Sequence, residues 1–180
     1  MSEPAGAAPN RSNSSVVWLF VVGAVVAYFL FRAQTPTSEQ LEGVLLPPLE
    51  VAGWFNSEQP IDSGQLRGKL VVLDCWFVDC PPCRASMPFL ATFHQKFSSQ
   101  GVQVIGLTPD QDADAKRAQE FIKSIPGVDW PIGYGAFIPL DILGVHEFPT
   151  LILFDRDGRS IWAGHDIHGL EQATLAALAK

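Results

Sequence analysis

"DCWFVDCPPCRASMPF", residues 74–89, sets Cys80-Pro81-Pro82-Cys83 and a further proline, Pro88, in a run that otherwise reads as core. Upstream it continues "KLVVLDCWFV" (69–78), an unbroken apolar stretch rich in strand formers. Such a run predicts a central strand buried on both faces. Downstream, Phe89, Phe93 and Phe97 recur at i, i+4 spacing, which predicts a helix beginning at the cysteines. With Cys80 as N-cap, Pro81 and Pro82 take the first helical positions, where a missing N–H costs no intrahelical bond. Cys83 then lies one turn inside, its sulfur within disulfide reach of Cys80. An exposed Cys80 at the positive end of the helix is expected to be the nucleophilic thiolate, and Cys83 the resolving thiol.

Two other uses of the pair fit less well. No second C-x-x-C, C-x-H or H-x-x-x-H completes a zinc site, since His165 and His168 form only an H-x-x-H. A disulfide across two residues closes a very small loop and restrains the unfolded chain little. Asp74 stands in the apolar strand, where a carboxylate costs several kcal/mol unless it is neutral or partnered. Two readings of it remain open from the residues alone. It is a desolvated acid with a raised pKa that can exchange protons near neutrality, or it is an ordinary carboxylate, hydrogen-bonded to local backbone or placed where the strand ends early. Cys75 alternates to the opposite sheet face and reads as a buried, inert thiol.

Outward from this segment, elements alternate. "LEVAGWFN" predicts a first strand and "DSGQLRG" a turn or short helix. "VQVIGLT" predicts a strand, and "DADAKRAQEFIKSI" a helix with acid at its start and Lys123 near its end, as the macrodipole favours. "DWPIGY" suggests a short strand and "IPLDILG" a short helix. "TLILFD" and "SIWAGH" are strands joined by "RDGR", whose Asp157-Gly158 is a hairpin signal, and "HGLEQATLAALA" closes as a helix. The pattern predicts an α/β three-layer sandwich with a mixed sheet over residues 49–180.

The N-terminus differs in kind. Residues 1–15 are small and polar and predict a disordered tail. Residues 12–31 carry no charge, and at ~1.5 Å per residue they match a hydrocarbon core of about 30 Å. Residues 16–31 are therefore read as a transmembrane anchor, with Trp18 and Tyr28 near its ends. A cleaved signal peptide is disfavoured because no small-x-small site follows. One arginine on each flank, Arg11 and Arg32, leaves orientation undecided by charge. Residues 32–48, polar and rich in proline, read as a tether. The net charge of −7 argues against nucleic acid and offers no basic patch to anionic lipid.

"VVLDCWFVDCPPCRASMP" resembles the thioredoxin active-site segment: Asp-x-Trp, C-x-P-C, a basic residue after the second cysteine and a helix proline beyond it. "LGVHEFPTLILFDRDGR" resembles the second thioredoxin signature, which makes Pro149 the cis-proline that in the family keeps metal ions off the pair and offers backbone to the substrate. With the anchor, "LRGKLVVLDCW" and "VIGLTPD", the chain is similar to the TlpA/ResA/CcmG group of membrane-anchored, extracytoplasmic thioredoxin-like proteins over about residues 49–175. The resemblance implies a thioredoxin-like fold behind one transmembrane helix, and a thiol–disulfide oxidoreductase needing no cofactor. In the implied chemistry Cys80 attacks a protein disulfide, Cys83 resolves, Asp74 shuttles the proton and Pro149 holds the substrate backbone. Trp76, Pro81, Pro82, Phe148 and Thr150 would line the substrate groove; His146 and Glu147 either line it as well or, the favoured reading, stand in a solvated loop. By analogy a DsbD/CcdA-type transmembrane donor supplies electrons and an apocytochrome c C-x-x-C is a candidate substrate. The alternative is a non-catalytic thioredoxin-fold module binding a partner or a metal ion. Peroxiredoxin and Sco patterns do not match, since Leu73 and Phe77 replace the peroxidatic motif and C-x-x-x-C is absent. Asp79 replaces the usual tryptophan and Pro81 the usual glycine. A carboxylate beside Cys80 disfavours its thiolate, and two prolines remove N–H donors from the first turn. Both predict a reducing couple, near the thioredoxin end of the thiol–disulfide scale.

Overall fold

The computed structural model describes residues 18–26 and 41–180. The first stretch is helical, and the remainder of the expected anchor, residues 16, 17 and 27–31, lies outside the described residues, as does the expected disordered tail. Among the described residues no helix is long and apolar enough to cross a membrane.

Residues 41–180 build β1 (Gly53–Phe55), β2 (Leu70–Cys75), α1 (Pro81–Phe97), β3 (Val102–Thr108), α2 (Asp112–Lys123), β4 (Ile132–Tyr134), α3 (Phe137–Ile142), β5 (Thr150–Phe154), β6 (Ser160–Gly164) and α4 (Ile167–Leu178). The strands form one sheet in the order β1-β4-β3-β2-β5-β6. β2 runs parallel to β3 and antiparallel to β5, so the sheet is mixed. All six residues of β2 are buried, as an apolar run with two covered faces requires.

Alternation along the strands sorts the core into two layers. Leu70, Val72 and Trp76 share one face with Val104, Leu151 and Leu153, beneath α1, α2 and α4. Val71, Leu73 and Cys75 share the other with Ile105, Ile152 and Phe154, beneath α3 and residues around Leu49 and Leu66. Asp74 belongs to the first face by the same alternation, opposite Gly106 of β3 and Leu151 of β5.

Several elements are shorter than their sequence suggests. β2 stops at Cys75, although the Trp76 N–H still reaches the Leu107 carbonyl at 3.0 Å. The first strand shrinks to Gly53–Phe55, paired antiparallel with β4 at the sheet's far edge. The β5–β6 turn forms around Asp155, whose Oδ1 accepts from the Asp157 and Arg159 N–H groups at 3.0 and 2.8 Å, with Gly158 at φ 77°. Residues 41–48, expected within the tether, lie against the domain. The Gly43 N–H donates to the Ser160 carbonyl and the Leu46 N–H to that of Gly158, both at 2.8 Å. Leu41, Val44 and Leu46 pack on the second core layer, so apolar side chains that looked incidental in a proline-rich stretch fix it to the sheet.

Candidate active site

α1 begins as its sequence requires. Cys80 is the N-cap with extended backbone (φ −95°, ψ 102°), Pro81 and Pro82 fill the first turn, and the Cys83 N–H donates to Cys80 Sγ at 3.2 Å. The two cysteines form a disulfide with Cα atoms 5.3 Å apart. Cys80 is 2% exposed and Cys83 1%, which corrects the expectation of an exposed N-terminal sulfur. Both belong to the first core layer with Trp76, Val78 and Met87, and Phe77, Phe121 and Phe148 pack against that layer. Helix entry alone signals an open N-cap; the core layer that buries it also draws on residues far along the chain, Leu151 and Leu170 among them. Pro81 and Pro82 remain exposed.

The loop before Cys80 is held at three points. The Cys80 N–H donates to the Phe77 carbonyl at 3.2 Å. The Val78 N–H donates to Asp110 Oδ2 at 2.8 Å, and the same oxygen accepts the Thr108 hydroxyl at 2.6 Å. Asp79 forms an ion pair with Arg117 of α2, which also binds Asp114 at 2.8 Å. Burial raises the Asp110 pKa, against its hydrogen bonds from Thr108 and Val78. The Arg117 hydrogen bond holds the Asp79 carboxyl below the usual range. Asp79 therefore does not present an unopposed charge to Cys80, and the electrostatic half of the argument for a reducing couple loses its footing. Arg84, the other nearby cation, stacks 3.9 Å from the centroid of Phe121.

Asp74 lies behind the pair, 3% exposed, with Oδ2 buried and without a hydrogen-bond partner. The strand does end early, directly after Asp74 at Cys75, yet no backbone group satisfies Oδ2 and the carboxyl stays desolvated. Burial raises its pKa from 3.8 to about 7. Cys75, on the opposite face, is a free buried thiol whose pKa is pushed up by burial and then by the Asp74 charge.

Opposite the cysteine loop, the Phe148–Pro149 peptide is cis. The Phe148 ring meets Phe77 edge-on, centroids 5.3 Å apart, which joins the two loops. The other residues expected to line a groove divide. Trp76 is fully buried, its ring 6.0 Å from that of Phe121. Thr150 is buried and donates its hydroxyl to the Glu147 carbonyl at 2.7 Å. Each side chain points into packing, so neither is an open groove contact. A concavity of about 590 Å³ lies beside the cis-proline loop, lined by Pro109, Phe137, Ile138, Ile142, His146 and Phe148 among others. His146 is solvent-exposed and stands on the wall of this concavity. Among the described residues no group of three or more His, Cys, Asp or Glu side chains is arranged to hold a metal ion.

A disulfide at a helix N-terminus, a cis-proline loop and a mixed sheet place the chain among known proteins. The redoxin family model matches residues 42–164. The chain belongs to the redoxin family. Among curated relatives of this redoxin, the thiol-disulfide oxidoreductase ResA of Bacillus subtilis is 30% identical over 144 residues, 79% of this chain and 78% of that one. ResA of Bacillus thuringiensis is 27% identical over 155 residues, 84% and 86% of the two chains. A Chlorobium tepidum crystal structure assigned as the thiol:disulfide interchange protein DsbE superposes with TM-score 0.65 at 27% identity, covering 76% of this chain and 97% of that one. This redoxin is a thioredoxin-like thiol–disulfide oxidoreductase.

Asp110 and Arg117 were not singled out by the sequence. A Pro-Asp turn after a strand was the only local signal for the first, and nothing local links Arg117 to Asp79.

Proposed function

We propose that the protein is a membrane-tethered, extracytoplasmic reductase of protein disulfides. The observation that carries this reading is the Cys80–Cys83 disulfide at the N-terminus of α1 with an unpartnered, buried carboxylate on the same sheet face. In the reduced chain the Cys80 thiolate attacks one sulfur of a substrate disulfide and expels the first substrate thiolate. Cys83 then attacks Cys80 Sγ, the mixed disulfide breaks and the second substrate thiolate leaves. Two electrons pass to the substrate and the Cys80–Cys83 bond re-forms. Asp74, with its pKa raised to about 7, accepts the Cys83 proton through water and returns it to the medium. The backbone at Phe148–Pro149 receives the substrate chain, and the apolar concavity beside it accepts side chains that flank the substrate disulfide. Tethering is supported by the uncharged residues 12–31, and an oxidising compartment gives a fixed disulfide reductase its use. A DsbD/CcdA-type donor would return the enzyme to its reduced form, and an apocytochrome c C-x-x-C would suit it as substrate.

The test is a Cys83→Ser full-length protein expressed in membranes. Mixed disulfides held through Cys80 and released by dithiothreitol are expected, and Cys80→Ser should abolish them. Absence of adducts with Cys83→Ser would refute the reading. Protease added to intact spheroplasts should digest the domain; protection until lysis would remove the extracytoplasmic assignment.

A further inference from the structure

His165 follows β6, the edge strand of the sheet, and stands outside the redox chemistry described above. Its Nδ1 lies 2.6 Å from the carbonyl oxygen of Pro149. A carbonyl oxygen has no hydrogen to give, so Nδ1 must carry the proton and donate it. The β5–β6 ladder ends at the pair Leu151–Gly164, and Pro149 lies two residues beyond it. There the side chain takes the place of the next backbone amide, and satisfies a carbonyl of a buried residue. Nε2 is turned towards Glu147 Oε2 at 3.8 Å, in a solvent-exposed contact. The Thr150 hydroxyl binds the Glu147 carbonyl at 2.7 Å. Two side chains thus hold the carbonyls on either side of Phe148.

We infer that His165 is a positioning residue: its Nδ1–H fixes the Glu147–Phe148–Pro149 loop in the conformation that receives the polypeptide around the substrate disulfide. This rests on the reductase reading above. His165 touches neither sulfur, so it acts on substrate binding and leaves the intrinsic reactivity of Cys80 unaltered. The requirement is specific to one ring position. Asparagine carries an amide N–H close to where Nδ1 sits, whereas leucine carries no donor.

The experiment uses the full chain in detergent. Long-range proton–nitrogen NMR of the wild type at alkaline pH should show the His165 proton on Nδ1. Pre-reduced wild type, His165→Leu and His165→Asn are then oxidised in single turnovers by a fluorogenic peptide disulfide over a range of concentrations, and Cys80 is alkylated with iodoacetamide in parallel. Loss of one hydrogen bond to the loop predicts a half-saturation concentration raised about tenfold in His165→Leu. Maximal rate and alkylation rate should stay at wild-type values, and His165→Asn should recover most of the binding. A proton on Nε2, an unchanged half-saturation concentration in His165→Leu, or no recovery in His165→Asn overturns the inference while the reductase reading stands. Wild type that is not oxidised by the peptide overturns both.

Discussion

Replacing Asp74 by asparagine tests the central feature of the site as a thermodynamic quantity. Unfolded, the carboxyl ionises at its ordinary value of 3.8; folded, burial moves it to about 7. Between those limits the folded state holds a proton that the unfolded state has lost. Stability is therefore complete below the unfolded pKa and falls as the pH rises through the window, levelling above the folded value. The displacement is about three units, and each is about 1.36 kcal/mol, so the carboxylate destabilises the fold by about 4 kcal/mol at alkaline pH. That is a large part of a domain's usual margin of about 5–15 kcal/mol. The amide introduced by Asp74→Asn cannot ionise, and the substitution removes this slope. Guanidinium unfolding of the oxidised full chain, followed by tryptophan fluorescence at intervals from about pH 4 to pH 8.5, measures both proteins. The asparagine variant should gain on wild type steadily with pH, by up to about 4 kcal/mol. A constant offset at acid pH reports the cost of an unpartnered amide and does not bear on the argument. Parallel pH profiles would refute it, because they would mean that Asp74 ionises in the fold as easily as in water.

Arg117→Ala should leave Asp79 facing Cys80 without its cation and slow Cys80 alkylation in the reduced protein about twofold at low salt, with the difference vanishing near 1 M salt. Stability in denaturant melts should stay close to wild type, since the pair is solvent-exposed; a salt-independent rate change would contradict the electrostatic account. Asp110→Ala strands the Val78 N–H and the Thr108 hydroxyl and should cost about 1–3 kcal/mol in denaturant melts. Cys75 should resist iodoacetamide at pH 8 in the folded, reduced protein while Cys80 reacts, and mass spectrometry of the labelled peptides would show it.

What could be read in the chain follows the range over which each signal acts. The largely apolar β2, the proline-started helix and the Asp-Gly hairpin are written in neighbouring residues, and each is found at its expected place, β2 with a shorter C-terminal end. Strand alternation also placed Asp74 and Cys75 on opposite faces. Contacts across many positions left no mark. Asp79 reads as a free negative charge until Arg117, 38 residues later, is folded against it. Cys80 reads as exposed until the chain folds and it enters a core layer shared with Leu151 and Leu170, against which Phe121 and Phe148 pack. Trp76, the residue before Phe77, was assigned to a groove by motif alone, yet the same alternation that buries Val72 buries its ring. Residues 41–48 look like linker by composition because their partners, Gly158 and Ser160, lie more than a hundred positions away.

That short N-terminal run has a consequence for handling the molecule. A sheet edge left open is a template for a second chain, and natural proteins blunt it with covering segments or very short strands. Here β1 is only three residues long at one margin. At the other, Leu45 bridges Arg159 and the Val44 N–H reaches Ser160 Oγ at 2.9 Å, so the start of β6 is already occupied. A soluble fragment beginning at residue 49, where composition suggests the domain starts, would uncover that margin and the apolar floor under Leu46. It would invite edge-to-edge association between molecules. A fragment beginning at residue 41 carries its own cover and should remain monomeric.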